Sequence, residues 1–153
     1  MSKVEKTFAQ LAKPEDGQGP KPFAWQRRLF DLMVEGRTPA ALDLPTGLGK
    51  TSAMIVWLIA RVVNPMPPTR LVYVVDRRAV VGQATAAAER MRANMTPDLS
   101  EALGLGDEPL PISTLSGGLA DNRDWLDNPA RPAISVGAVD MIGSRLTAPG
   151  FGL

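Results

Sequence analysis

The stretch that decides the fold is Pro45-Thr46-Gly47-Leu48-Gly49-Lys50-Thr51, in which two spaced glycines precede a lysine and a threonine. Apolar residues flank it on both sides, so residues 40–44 predict a short buried strand and residues 52–63 a mostly buried helix. A strand, a glycine-rich loop and a helix in this order are the setting of a phosphate-binding loop. The glycines let main-chain amides approach phosphate oxygens, and the helix N-terminus adds its positive dipole end.

Lys50 and Thr51 carry the predicted chemistry of this loop. The Lys50 ammonium is the candidate catalytic group because it can reach the β- and γ-phosphates of ATP. The Thr51 hydroxyl is the candidate ligand of Mg²⁺. The pattern therefore predicts ATP and Mg²⁺ as cofactors. The plainer alternative is a glycine turn before a helix whose lysine is merely solvated.

A second signal lies upstream, where Phe23 and Gln26 open a predicted helix that ends at Gly36. A glutamine amide has a donor and an acceptor, so it can pair with both N6 and N7 of adenine, while an aromatic neighbour stacks on the base. The alternative places Trp25 in the core and Gln26 on the surface. The nearby loop favours adenine recognition. The predicted nucleotide contacts are Phe23, Gln26, Thr46, Gly47, Leu48, Gly49, Lys50 and Thr51.

Composition excludes several classes of site. The chain has 153 residues with a net charge of +1, and it contains no cysteine and no histidine. Thiolate and imidazole metal sites, a cysteine nucleophile and a Ser-His-Asp triad are therefore excluded, and nucleic-acid binding needs a local patch of charge. The N-terminus lacks a secretory signal, and the longest apolar run, residues 53–60, is too short to span a bilayer. We expect a cytoplasmic protein without membrane contact.

The order of the predicted elements sets the fold class. Residues 71–75, 111–115 and 133–139 predict strands, and residues 79–94, 123–128 and 141–146 predict helices between and after them, which is typical of an α/β fold with a mainly parallel sheet. The first of these strands is apolar without alternation, so we expect it to be covered on both faces. Residues 1–20 predict a flexible N-terminal segment, because glycines and prolines crowd its end.

These motifs together resemble those of superfamily 2 helicases. Residues 74–83 are similar to helicase motif Ia, in which Arg78 and Gln83 match the usual pattern while Asp76 and Arg77 depart from it. Residues 115–118 are similar to motif Ib, and residues 136–145 to motif Ic. The combination most resembles the helicase-nuclease of type I CRISPR interference, in the subtype historically called I-U. The resemblance implies a P-loop NTPase fold, with residues 21–153 as the front part of the first RecA-like lobe.

The resemblance also implies a function and partners. It implies an ATP-driven motor that tracks along single-stranded DNA in antiviral defence, recruited by a guide-RNA surveillance complex. Motifs Ia to Ic line the DNA channel of such motors. The implied DNA contacts in this chain are Arg78, Ser116, Gly117, Gly118 and Arg145. The alternative for the arginines is that they are solvated or paired with acidic side chains.

ATP hydrolysis in this family needs a later motif II, whose aspartate and glutamate hold Mg²⁺ and polarise water. Residues 107–108 are an Asp-Glu pair, as motif II requires, but no apolar strand precedes them. Asp76 and Asp140 lack the following glutamate, because arginine follows the first and methionine the second. We expect motif II beyond residue 153, so these residues alone bind ATP without turnover, and they lack the second lobe and the nuclease domain. The alternatives are a P-loop phosphotransferase that uses Asp76, or a non-catalytic nucleotide- or DNA-binding remnant.

Overall fold

The computed structural model describes residues 1–116, 119–120 and 128–140. The described chain folds into helices packed on one sheet. The helices are α1 (Lys3–Leu11), α2 (Ala24–Val34), α3 (Ala53–Val63), α4 (Arg78–Ala93) and α5 (Pro97–Ala102), with a 3₁₀ turn at Lys50–Ser52. The strands are β1 (Arg70–Val75), β2 (Ile112–Ser116), β3 (Leu119–Ala120) and β4 (Ala133–Ala138).

The sheet has the strand order β1-β4-β2-β3. Strands β1, β4 and β2 are parallel, and the short β3 is antiparallel to β2. Val136 in β4 lies opposite Tyr73 on one side and Thr114 on the other, so β4 is the central strand of the parallel part. The predicted α/β class with a mainly parallel sheet is therefore confirmed, and the arrangement is consistent with part of a RecA-like P-loop lobe.

Helix α3 forms the centre of the hydrophobic core. Every residue from Met54 to Ala60 is buried, and α3 packs against α1, α2 and β1. Trp57 is 2% exposed, and its indole N–H donates to the carbonyl of Pro68 at 2.8 Å. An all-round apolar helix is stable in water only when other elements cover it, and each large side chain buried contributes about 1.5–3 kcal/mol.

We expected the N-terminal segment, residues 1–20, to be flexible. The structure instead places helix α1 in it. Ser2 and Glu5 form a capping box: the Glu5 amide donates to Ser2 Oγ at 3.2 Å, and the Ser2 amide donates to Glu5 Oε2 at 2.8 Å. Phe8 and Leu11 are buried in the core. The prediction of flexibility is therefore wrong for Lys3–Leu11, where a cap and two apolar anchors order the chain.

The predicted strand at residues 40–44 is absent. These residues have no regular secondary structure, and Leu42 is 46% exposed. A short apolar run becomes a strand only when a neighbouring strand takes its backbone hydrogen bonds, and none of the four described strands pairs with this segment. The phosphate loop is therefore entered from irregular chain.

Strand β1 is covered on one face only. Leu71, Tyr73 and Val75 pack against the core, whereas Val72 and Val74 are 55% and 46% exposed. The expectation of cover on both faces is thus wrong for the described chain. Continuous apolar character indicated burial on both sides, but the structure places helices against one face of this strand.

The other predicted helices divide into two groups. Helices α2, α3 and α4 lie where the sequence predicts them, and α2 ends just before Gly36, whose φ of +73° favours glycine. Predicted helices at residues 123–128 and 141–146 lie outside the described residues, apart from Asn128. No described helix is both long enough and apolar enough to cross a membrane.

Candidate nucleotide site and sheet edge

The phosphate loop makes a tight turn into α3. Gly47 and Gly49 have φ angles of +84° and +67°, a region that favours glycine. The Ser52 amide donates to the Gly49 carbonyl at 3.0 Å, which closes the 3₁₀ turn that leads into α3. A Cβ added at Gly47 would meet no atom within 4 Å, so the outer surface of the turn has room for a phosphate group.

The first turn of α2 holds this loop in place. The indole N–H of Trp25 donates to the Leu48 carbonyl at 3.0 Å, and Gln26 Nε2 donates to the Gly49 carbonyl at 3.4 Å. Gln26 Oε1 in turn accepts the Phe23 amide at 2.7 Å. Two neutral side chains therefore fix two successive carbonyls of the loop, Leu48 and Gly49.

Trp25 is the residue that the sequence interpretation missed. The alternative placed it in the core, and its half-buried ring does pack against the core, but its indole N–H also bonds to the loop. A partly buried indole needs an acceptor for its single N–H, and the Leu48 carbonyl of the loop supplies it. This requirement is the signal that indicates its role.

Gln26 and Phe23 remain predicted adenine contacts. Gln26 is only 2% exposed, and both ends of its amide already have protein partners. An amide oxygen has a second lone pair and an amide nitrogen a second hydrogen, so pairing with a base would add to these bonds. The Phe23 side chain is 47% exposed, and its ring lies 3.6 Å from where a Cβ on Gly49 would be.

Lys50 and Thr51 lie at the start of the 3₁₀ turn. Lys50 is exposed and, within the described chain, has no acidic partner, so its charge is available to an anion. Thr51 is half-buried and lines a cavity of about 120 Å³ between α1, α3 and α4. Their roles toward phosphate and Mg²⁺ stay predictions. No cluster of three or more acidic side chains suited to a metal occurs among the described residues.

Two of the five predicted DNA contacts, Arg78 and Ser116, lie at a different place, the edge of the sheet where the parallel strands end. Arg78 begins α4 directly after β1, and Ser116 ends β2. The remaining three, Gly117, Gly118 and Arg145, lie outside the described residues. Arg78 is paired with Asp140, because its Nη2 lies 2.5 Å from Asp140 Oδ2. The alternative of a salt-bridge partner is thus met for Arg78, and its contact with DNA stays a prediction.

The acidic candidates for motif II fall in irregular or exposed positions. Asp107 and Glu108 lie in the loop that follows α5, as predicted. Asp76 follows β1 with its side chain 81% exposed, at 3.8 Å from the Arg77 guanidinium. Neither Asp76 nor the Asp107–Glu108 pair is delivered by a buried strand. Asp140 does follow the buried central strand β4, and its carboxylate is paired with Arg78.

Comparisons with known proteins give one match. The family model described as type III restriction enzyme, res subunit, matches residues 5–109, a range that runs from α1 through the phosphate loop to α5. A search of curated proteins and a search of solved structures found no match. The match supports a superfamily 2 helicase-type P-loop segment, and the chain belongs to the family of the type III restriction enzyme res subunit.

Proposed function

We propose that this chain binds the triphosphate of ATP at residues 46–51 and serves as the nucleotide-binding part of a helicase-type motor. One observation carries the proposal. Two glycines with positive φ turn the chain into α3. The side chains of Trp25 and Gln26 donate hydrogen bonds to the carbonyls of Leu48 and Gly49 in this turn. This arrangement leaves the amides of the loop and the Lys50 ammonium as the groups that can receive an anion.

Each residue of the proposed site has a separate task. The amides between Gly47 and Thr51 donate to phosphate oxygens, and Lys50 neutralises charge on the terminal phosphates. Thr51 would hold Mg²⁺, whose charge, when bound, stabilises the same phosphates. Phe23 covers the rim of the loop and offers a surface for the base. Together these residues bind and orient the nucleotide.

Hydrolysis needs an acid that the described residues do not place at this loop. Polarising water requires a carboxylate positioned at the terminal phosphate, and Asp76, the candidate for a phosphotransferase, is 81% exposed beside Arg77. No observation favours the phosphotransferase over the helicase-type reading. The residues of this chain therefore supply nucleotide binding in our proposal, and turnover requires a further acidic group.

The partners are narrower proposals. Arg78 and Ser116 lie at the edge where parallel strands end, which is where open α/β sheets bind ligands, and this supports single-stranded DNA as the partner. Recruitment by a guide-RNA surveillance complex and a role in CRISPR-type antiviral defence rest only on the motif resemblance of residues 74–83, 115–118 and 136–145. A cytoplasmic location is a separate proposal, supported by the lack of a long apolar run.

The test is the binding of a fluorescent ATP analogue to Lys50→Ala, measured by anisotropy. Losing one charge-assisted contact costs about 1.5–3 kcal/mol, so we expect a roughly ten- to hundredfold weaker affinity. Lys21→Ala is the matched control, because Lys21 is also exposed and lies just before α2. Equal affinity of wild type and Lys50→Ala would remove the loop from the proposed site.

A further inference from the structure

The ion pair between Arg78 and Asp140 joins two elements at one edge of the sheet. Arg78 follows β1 and Asp140 follows β4, and the parallel register sets Val75 opposite Ala138 at the ends of these strands. Arg78 Nε donates to Asp140 Oδ2 at 2.7 Å, and Nη2 lies 2.5 Å from the same oxygen. Two guanidinium nitrogens therefore converge on one carboxylate oxygen.

The Arg78–Asp140 pair is too exposed to solvent to contribute much to the stability of the fold. The side chains of Arg78 and Asp140 are 63% and 55% exposed, and ion pairs in water contribute little to stability. What the pair changes is the charge of the edge. A guanidinium binds carboxylate and phosphate through the same N–H donors, so the Asp140 carboxylate occupies the donors that a phosphate would use.

The neighbouring charges follow the same balance. Arg77 lies beside Asp76 at 3.8 Å, a looser contact between two largely exposed side chains. Among the residues that the structure describes at this edge, the charges of these two arginines are balanced by those of the two aspartates. A nucleic acid that binds here gains little from charge unless one of these pairs opens.

We propose that Asp140 competes with single-stranded nucleic acid for Arg78, so that the pair opens when a backbone phosphate takes the guanidinium. This inference rests on the proposed function, in which Arg78 contacts nucleic acid. Asp140 thereby acts as an internal substitute for phosphate that lowers the affinity of the free chain. Removing the charge of Asp140 leaves the Arg78 guanidinium available before any nucleic acid binds.

The experiment measures binding of a labelled single-stranded oligonucleotide to the full chain by anisotropy at several salt concentrations. We expect Asp140→Asn to bind about three- to fivefold more tightly. The salt dependence steepens by up to roughly 0.7 in log–log slope, because the carboxylate that wild type frees on binding takes up a cation and offsets one released from the phosphate. Glu35→Gln is the control, because it makes the same change in charge and breaks another exposed pair, Glu35 with Arg37 at 3.1 Å. Its affinity stays at the wild-type value.

Two further variants separate the outcomes. Arg78→Ala weakens binding, and Asp140→Asn added to Arg78→Ala gives no gain. A gain that persists in the double variant shows plain repulsion by Asp140 and overturns the competition. If Arg78→Ala weakens binding but Asp140→Asn does not tighten it, the competition is wrong and the proposed function stands. If neither variant changes the affinity, Arg78 is no nucleic-acid contact, and both the competition and the proposed nucleic-acid contact at this edge are wrong. Asp140→Ser repeats the measurement should the asparagine variant unfold in urea at a lower midpoint.

Discussion

The phosphate loop and the edge of the sheet are held in place by different kinds of contact. Neutral side chains of α2 fix the loop through its carbonyls, and the Lys50 charge is left without an acidic partner in the described chain. At the edge, Arg78 is held by the Asp140 carboxylate. In our proposals the loop can therefore receive an anion without breaking a contact, whereas the edge must first break a contact of its own. Preorganisation of this kind strengthens binding without adding contacts.

The largest effect is expected where the loop is anchored. Gln26→Ala leaves the Phe23 amide and the Gly49 carbonyl without their side-chain partner in a largely buried place. We expect a loss of about 1–3 kcal/mol in the free energy of unfolding, measured in urea. Gln18→Ala, at an exposed position, stays within about 0.5 kcal/mol of the wild type. Equal stability of the two variants would show that the anchor is unimportant.

A smaller effect is expected from the loop backbone itself. Gly49→Ala forces an L-residue into φ +67°, which costs about 1–2 kcal/mol, although its Cβ would lie at an ordinary 3.5 Å from Gln26 Nε2. Affinity for the ATP analogue falls with it. Gly82→Ala, in α4 with open space around the new Cβ, is expected to raise stability by about 0.5–1 kcal/mol. A Gly49→Ala chain that binds ATP as well as the wild type would contradict a preformed loop.

The smallest effect concerns an exposed charged contact away from both regions. The Ser2 amide, and then Arg27, hold the pKa of Glu5 below its ordinary value. A lowered pKa means that the contribution of Glu5 to stability is present above the ordinary glutamate range and is lost as the pH falls through the lower, folded value. The urea midpoints of wild type and Glu5→Gln should therefore differ slightly at neutral pH and converge in acid. A difference that grows in acid would reverse the assignment.

The part of the site that was predictable is the part set by local chemistry. Two glycines, a lysine and a following apolar run define the turn and α3 with little help from other elements. The prediction of a strand at residues 40–44 was wrong because a strand needs hydrogen bonds from the backbone of a neighbouring strand. A local sequence pattern does not show whether such a neighbour exists. Arg78 and Asp140 are 62 residues apart in sequence, so their pairing follows only from the parallel register of β1 and β4.

Helix α1 shows a different kind of failure, since its signal was present and local. Ser2 and Glu5 have the spacing of a capping box, and Phe8 and Leu11 lie three residues apart on one helical face. The glycines and prolines that follow them drew attention to disorder. Local order at one end of a segment is compatible with irregular chain at the other.

Helix α3 also has a mechanical consequence for the two regions. It begins at the phosphate loop, and near its far end the Trp57 indole and the Arg61 guanidinium bond to the carbonyls of Pro68, Pro65 and Pro67, the connection that enters β1. Eleven helical residues make a stiff rod of about 16 Å. One rigid element thus joins the phosphate loop to the connection that enters β1.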